Sequence, residues 1–189
     1  MEEIEAKFLD VNVDELKSKL INLGAVFVGE FLYKRKTYDF ADYSLNNNNS
    51  WVRVRDEGDR VTMTYKKRLD ADSATMRDGG MKEVEVVVSD FNLTDQFLQS
   101  IGMVEKFYEE NKRERYILGN VEVDIDTWPM IPSYVELEGG DWGSVERVAE
   151  KLGFDWASHL RCSTMQIYKS YGINENDYAV ITFIEQIKK

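Results

Sequence analysis

The stretch Val121-Glu122-Val123-Asp124-Ile125-Asp126 alternates apolar and acidic residues without a break. In a strand, residues i and i+2 point to one face, so Val121, Val123 and Ile125 fall on one side and Glu122, Asp124 and Asp126 on the other. The same spacing recurs in both directions along the chain, each time with two charges of one sign two residues apart. Glu3/Glu5, Arg53/Arg55, Glu83/Glu85, Arg113/Arg115, Asp124/Asp126 and Glu136/Glu138 are such doublets. Ile4, Ala6 and Phe8 interleave with the first, Val52 and Val54 with the second, Val135 and Leu137 with the last. A sheet built this way buries an apolar face and gathers cationic and anionic strands on the other.

An isolated charged doublet reads as a solvated sheet face. Whole strands of one sign are different, because a solvent face usually mixes neutral polar residues with alternating charges. Like charges repel unless something lies between them. Phosphate would relieve the arginines, and a divalent cation would relieve the carboxylates.

Composition narrows the classes further. A chain of 189 residues, 43% hydrophobic and 12% aromatic, with no proline- or serine-rich tract, is expected to form one globular domain, with residues 172–189 an extension of unassigned structure. Its formal charge of -11 opposes nonspecific attraction to nucleic acid or anionic membranes. No apolar run approaches a membrane span, and the first residues already carry a strand pattern, so a cytoplasmic protein is expected. One cysteine, Cys162, and one histidine, His159, form neither a disulfide nor a zinc cluster nor a nucleophilic dyad. Both read as packing residues.

Turn and cap signals divide the rest. Asn12 with Glu15 has the form of a capping box, followed by Leu16, Leu20 and Leu23 at helical spacing and then Gly24. Strands are predicted at 26–40, 51–56, 60–68, 81–88, 104–110, 112–118, 121–126 and 134–138, with helices at 93–101, from Ser144 to Lys151, and at 158–171. Asn46 to Asn49 and the Gly119-Asn120 pair read as turns, and Asp72 to Gly80 as a loop. The tail 178–187 fits strand or helix equally. About eight evenly spaced strands predict an α+β, mainly antiparallel fold, with a closed or nearly closed barrel and helices outside.

Arginine offers a planar fork that grips phosphate oxygens through two hydrogen bonds, whereas lysine acts as a compact charge. Arg53, Arg55, Arg113 and Arg115, with Lys7 and Lys66, suit a long polyanion such as a triphosphate. Thr62, Thr64 and Lys66 share one strand parity, which makes that strand polar towards the site. Carboxylates of Glu3, Glu5, Asp124, Asp126, Glu136 and Glu138 are hard oxygen donors suited to Mg2+ or Mn2+ beside phosphate.

The opening Glu3-Ile4-Glu5-Ala6-Lys7 resembles the Glu-x-Glu-x-Lys signature of the CYTH proteins, the triphosphate tunnel metalloenzymes that include class IV adenylate cyclases, thiamine triphosphatases and inorganic triphosphatases. The resemblance continues in order through Arg53-Val54-Arg55, Thr62-Met63-Thr64-Tyr65-Lys66, Glu83-Val84-Glu85, Arg113-Glu114-Arg115, Asp124-Ile125-Asp126 and Glu136-Leu137-Glu138, over about residues 1–170. It implies an eight-stranded barrel enclosing a hydrophilic tunnel. Glu3, Glu5 and Glu138 carry over as the first metal candidates, with Glu136 and Asp126 next. Lys7, Arg53, Arg55, Lys66, Arg113 and Arg115 carry over as triphosphate contacts, and Glu3, Glu5, Lys7 and Lys66 as the catalytic set. Glu83 and Glu85 lie on a strand that the family uses variably, and Lys169 is a loose match to a lysine that some members carry on a C-terminal helix.

Three activities are compatible with this reading. Hydrolysis needs water in line with a phosphoanhydride bond, whereas cyclisation needs a ribose hydroxyl aimed at the alpha phosphorus. A cyclase also needs a holder for base and ribose, for which the Trp128–Ser133 loop, Trp142 and Trp156 are the aromatic candidates, each reading more readily as a packing anchor. The first expectation is a metal-dependent triphosphatase acting on ATP, another nucleoside triphosphate, thiamine triphosphate or tripolyphosphate. The second is an adenylate cyclase, and the third a binding module without turnover. A monomer and a homodimer both fit the sequence.

Overall fold

The computed structural model describes residues 4–69 and 81–189. Strand β1 (Glu5–Phe8) leads through α1 (Val13–Asn22) into the long β2 (Val26–Phe40), and a 3-10 turn at Asn46–Asn48 precedes β3 (Ser50–Asp56). Then follow β4 (Val61–Arg68), β5 (Met81–Val88), α2 (Phe91–Ser100), β6 (Met103–Leu118), β7 (Val121–Thr127) and β8 (Tyr134–Glu138). The chain ends with α3 (Trp142–Leu152), α4 (Thr164–Ser170), β9 (Tyr178–Ile181) and β10 (Gln186–Lys188). Eight strands pair in the order β1-β8-β7-β6-β2-β3-β4-β5, every neighbouring pair antiparallel. The sheet curls strongly into a half-barrel, and among the described residues β1 and β5 do not pair.

Alternation decides which side is dry. Val121, Val123, Ile125, Val135 and Leu137 face outward and are buried beneath Leu16 and Leu20 of α1 and Val145, Val148, Ala149 and Leu152 of α3. Each such aliphatic side chain removed from water stabilises the fold by roughly 1.5–3 kcal/mol. A second outer core joins Tyr38 and Val54 to Leu98 of α2 and to Met103. A third joins Trp128, Ile131 and Tyr134 to Ile167 and Tyr168 of α4 and Ile181 of β9. The first two cores lie outside the curl, whereas Trp128 and Tyr134 of the third also line its inside, beside the charged doublets.

Several boundaries differ from the sequence expectation. The predicted strands 104–110 and 112–118 are one continuous β6, because Asn111 between them makes no turn: fully buried, it receives a hydrogen bond from Arg35 and donates one to Asp126. Helix α3 begins before Ser144; the Asp141 carboxylate caps it by accepting from the Ser144 N–H at 2.8 Å. The predicted helix 158–171 shortens to α4, capped by the Ser163–Gln166 box, because residue 160 is instead bridged to β1. Lys7 and Leu160 exchange both backbone hydrogen bonds at 2.9 Å, so this extended segment lies along the outer edge of β1. The tail resolves to strand: β9 joins β6 in parallel at Tyr108 and Glu109, and β10 folds back on β9. Gly119, at a φ of 67°, makes the tight β6–β7 hairpin that its sequence announced. The predicted loop from Asp72 to Gly80 lies outside the described residues.

Candidate active site

Antiparallel register carries the charged doublets into cross-strand rows. One row runs Lys7, Glu136, Asp124, Arg115 from β1 to β6; the next runs Glu5, Glu138, Glu122. On the opposite side Thr37, Arg53, Thr64 and Glu85 align across β2 to β5, and Trp51, Lys66 and Glu83 align beside them. These rows surround a cavity of about 570 Å³ lined by Glu5, Lys7, Arg53, Arg55, Lys66, Glu83, Glu85, Arg113, Arg115, Asp126, Glu136 and Glu138, among others. Residues spread over more than a hundred positions of sequence therefore face one space.

The β6–β7–β8 side is a lattice of short ion pairs. Arg113 donates from Nε to Asp126 Oδ1 at 2.8 Å and from Nη2 to Oδ2 at 2.5 Å, while its Nη1 lies 2.7 Å from Asp124. Arg115 grips Asp124 through Nε and Nη2 at 2.8 and 2.7 Å and reaches Glu122 at 2.9 Å. Lys7 donates to Glu5 at 2.5 Å and lies 3.3 Å from Glu136. Two-pronged arginine contacts of this kind fix geometry as well as charge.

Burial and pairing set the protonation states. Burial opposes the charge on Lys7, but Glu136 and Glu5 outweigh it and hold the ammonium well above its usual range. Glu136 is likewise buried, yet Lys7 and Arg113 pull its carboxyl far below the ordinary carboxylate value. Arg113 stays charged against its burial because Asp126 and Glu136 face it. Burial drives Asp126 upward against the pull of Arg113.

The other side carries its own ion pairs. Arg53 Nη2 lies 3.9 Å from Glu85, which also accepts from the Thr64 hydroxyl at 2.9 Å. Lys66 pairs with Glu83. Arg55 bonds Glu57 through Nε and Nη2 at 2.9 and 2.6 Å. Tyr33 stands between the two sides, with the guanidinium carbons of Arg55 and Arg113 at 5.1 and 5.8 Å from its ring centre.

Of the residues singled out in the sequence, Glu3 lies outside the described residues. Asp124 is buried between Arg113 and Arg115 and is not among the cavity-lining groups, and Lys169 is exposed at the end of α4, also off the cavity. The C-terminal cation that does line it is Arg161, brought there by the segment bridged to β1. Arg35, Trp51, Glu57, Arg68, Glu109, Glu122 and Glu175 also belong to the site or its immediate support and were not picked out. Strand parity could have found Arg35, two residues from Tyr33 and Thr37, and Glu57, two beyond Arg55. Nothing in the sequence placed Glu175, which reaches the cavity from a 3-10 turn in the tail.

Among the described residues, no three acidic, histidine or cysteine side chains are gathered in a ready metal cluster. The donor chemistry nevertheless fits a hard divalent cation at one place. Glu5, Glu122 and Glu138 stand level on three neighbouring strands, a row of hard oxygen donors of which Glu5 and Glu122 are also paired with Lys7 and Arg115.

The curled antiparallel sheet thus encloses one cavity in which arginine, lysine and carboxylate side chains meet on both walls. The comparisons place it more closely: residues 1–171 match the CYTH domain, and the chain belongs to the CYTH family. Solved structures share the fold. The PH1012 protein from Pyrococcus horikoshii is 22% identical, with 83% of this chain and 93% of that chain covered and a TM-score of 0.66. A candidate adenylate cyclase from Vibrio parahaemolyticus is 13% identical over 89% of this chain and 98% of that one, with a TM-score of 0.71. The Hippeastrum protein HpAC1, described as a candidate adenylyl cyclase with a dominant triphosphatase activity, is 15% identical over 94% of this chain and 99% of that one, with a TM-score of 0.64. A search of curated proteins by sequence returned no match.

Proposed function

We propose that this chain is a divalent-metal-dependent triphosphatase that binds a nucleoside or inorganic triphosphate in the cavity and hydrolyses a phosphoanhydride bond. The observation that carries the reading is one cavity lined by Arg53, Arg55, Lys66, Arg113 and Arg115 on one hand and Glu5, Glu136 and Glu138 on the other. In this reading the arginines and Lys66 grip phosphate oxygens, Lys7 sets the charge of Glu5 and Glu136, and Glu5 and Glu138 hold Mg2+ or Mn2+, with Glu3 as a further candidate. Bound metal would neutralise phosphate charge and activate water.

Hydrolysis is favoured over cyclisation by the state of the aromatic rings. A cyclase needs a face on which to hold a base, and each tryptophan already carries a cation or ring on one face, which leaves a base at most the other. Arg35 covers Trp128 at 4.4 Å, Arg161 covers Trp142 at 5.5 Å, Arg68 covers Trp51 at 5.8 Å, and His159 stacks on Trp156 at 4.1 Å. Product analysis decides the matter. Purified protein is incubated with tripolyphosphate, thiamine triphosphate, GTP and ATP, with Mg2+ or Mn2+ in turn. Orthophosphate with a diphosphate product is the expected result; cyclic AMP with pyrophosphate would establish the cyclase instead, and retained, unaltered triphosphate a binding module.

A further inference from the structure

Arg55 occupies an electrostatically hostile position. Its cross-strand partner on β2 is Arg35, another guanidinium, and Arg113 approaches the same Tyr33 ring that Arg55 covers. Arg35 is held below the usual arginine range first by burial and then by the charge of Arg55. With no polyanion between them, these groups would drive one another apart, and a side chain as flexible as arginine would turn towards water. Yet Arg55 stays against the ring, its side chain only 17% exposed.

Glu57 is the counterweight. It follows β3 by one residue and shares strand parity with Arg53 and Arg55, at the start of the tight turn in which its N–H donates to the Arg60 carbonyl at 2.9 Å. Its side chain is 6% exposed, unusual for a glutamate in a hairpin turn. Oε1 accepts from Arg55 Nε and Nη2 at 2.9 and 2.6 Å and from the Thr62 hydroxyl at 3.3 Å; Oε2 accepts from Arg60 Nε at 3.0 Å. Thr62 is itself the β4 residue registered against Arg55. One buried carboxylate therefore ties together an inward arginine, a hydroxyl on the next strand and an arginine at the cavity rim. Although burial pushes Glu57 upward, Arg55 and Arg60 outweigh it and keep the carboxylate ionised.

We propose that Glu57 is a positioning residue that holds the Arg55 guanidinium ready for a phosphate, and so contributes to triphosphate affinity without touching the ligand. The inference rests on the proposed triphosphate site. It also makes a prediction opposite to that of simple electrostatics. A carboxylate beside a phosphate site lowers the local positive potential, so its neutralisation alone would tighten anion binding. If Glu57 instead acts by holding Arg55, neutralisation loosens it.

The test is a double-mutant cycle read by calorimetric binding of tripolyphosphate to the full chain, using Glu57→Gln, Arg55→Ala and the double variant. The Gln variant is expected to weaken binding about tenfold, the worth of one charge-assisted hydrogen bond. The double variant should bind no more weakly than Arg55→Ala, because Glu57 has nothing left to position. Tighter binding by Glu57→Gln overturns the proposal, and so does an equal tenfold loss in the Arg55→Ala background, which would mark a general structural role. Should Glu57→Gln fail to fold, Glu57→Asp keeps the charge, withdraws it by one methylene, and enters the same cycle with the same criteria. A second readout needs no ligand: hydrogen exchange of the Arg55 Nε–H by NMR, slow in the parent and at least tenfold faster in the Gln variant. If the parent binds no tripolyphosphate, the proposed function fails, while unchanged exchange at Arg55 is what removes Glu57 as its holder.

Discussion

The two walls of the cavity carry the same chemistry on different foundations. On the wall made by β1, β8, β7 and β6, the outward residues Val121, Val123, Val135 and Leu137 are completely buried under α1 and α3. Inside, arginines and carboxylates meet in pairs closer than 3 Å. On the wall made by β3, β4 and β5, the last strand ends the sheet and Val84 and Val86 on its outer face are 56% and 46% exposed, while inside Arg55 pairs with Glu57 and Lys66 with Glu83. The contrast separates a wall backed by a dry core from one whose edge strand is open to water on its outer face and is freer to adapt to a ligand. Stability and affinity should therefore divide between the walls.

The framework side offers the largest effect. Asp126→Ala removes a buried carboxylate gripped by Arg113 and Asn111 and leaves the buried guanidinium with only Asp124 and the more distant Glu136 to offset it. Breaking a buried pair in this way costs about 3–5 kcal/mol. Urea denaturation of the variant should show a lowered midpoint at an unchanged slope. A loss below about 1 kcal/mol would mean that the lattice is no more structural than a surface pair, and the distinction between the walls would collapse.

Arg53→Ala should reverse the pattern. Tripolyphosphate affinity is expected to fall about tenfold or more, as for a lost charge-assisted contact, with stability changed by no more than about 1 kcal/mol. Calorimetry and thermal unfolding measured on the same sample check both halves. Unchanged affinity would take Arg53 out of the binding wall.

The part of the cavity lined from the tail responds to pH with the opposite sign to the framework. Glu136 is depressed by Lys7 and Arg113 despite burial, so its contribution is present above the ordinary glutamate value of 4.5 and is lost as pH falls. Glu175 is raised well above 4.5 by burial and by Glu109, to which it is hydrogen-bonded. Tyr168 and Arg35 also face that pair. A raised carboxyl contributes most below its unfolded value and loses that contribution as pH climbs towards its folded one. Relative to the parent, Glu175→Gln should therefore gain stability between pH 5 and 8, by at most about 1.4 kcal/mol per pH unit. Parallel melting-temperature profiles for the two proteins would show that no proton is shared there.

How far these regions were readable follows from how they are made. The doublets and their apolar partners specified the curled sheet and both charged walls, because strand parity is a local property and the cavity inherits it. Arg35 and Glu57 escaped notice for a different reason: parity puts both on the inner face, but Arg35 gains its meaning from its cross-strand neighbour Arg55, and Glu57 from its burial against Arg55, Arg60 and Thr62 at the turn. Asn111 misled because an asparagine beside a lysine resembles a turn until Arg35 and Asp126 supply its hydrogen bonds. Glu175 and Arg161 were beyond reach, since their position depends on where the tail meets β6 and where residue 160 meets β1. Such long-range contacts leave no period in the sequence.

The smallest expected effect tests the outer faces. Val86 on β5 and Val123 on β7 are both outward-facing valines on antiparallel strands, so β propensity and shape are matched and only the foundations differ. Replacing a methyl by a hydroxyl in Val123→Thr puts an oxygen into a fully buried core, at a cost of about 1–3 kcal/mol where no partner meets it. Val86→Thr places the same oxygen where water reaches it, and should shift stability by no more than about 0.5 kcal/mol. Chemical denaturation of the pair measures the difference directly. Equal losses would show that the β5 face is covered in solution, and the wall now read as adaptable would have a foundation of its own.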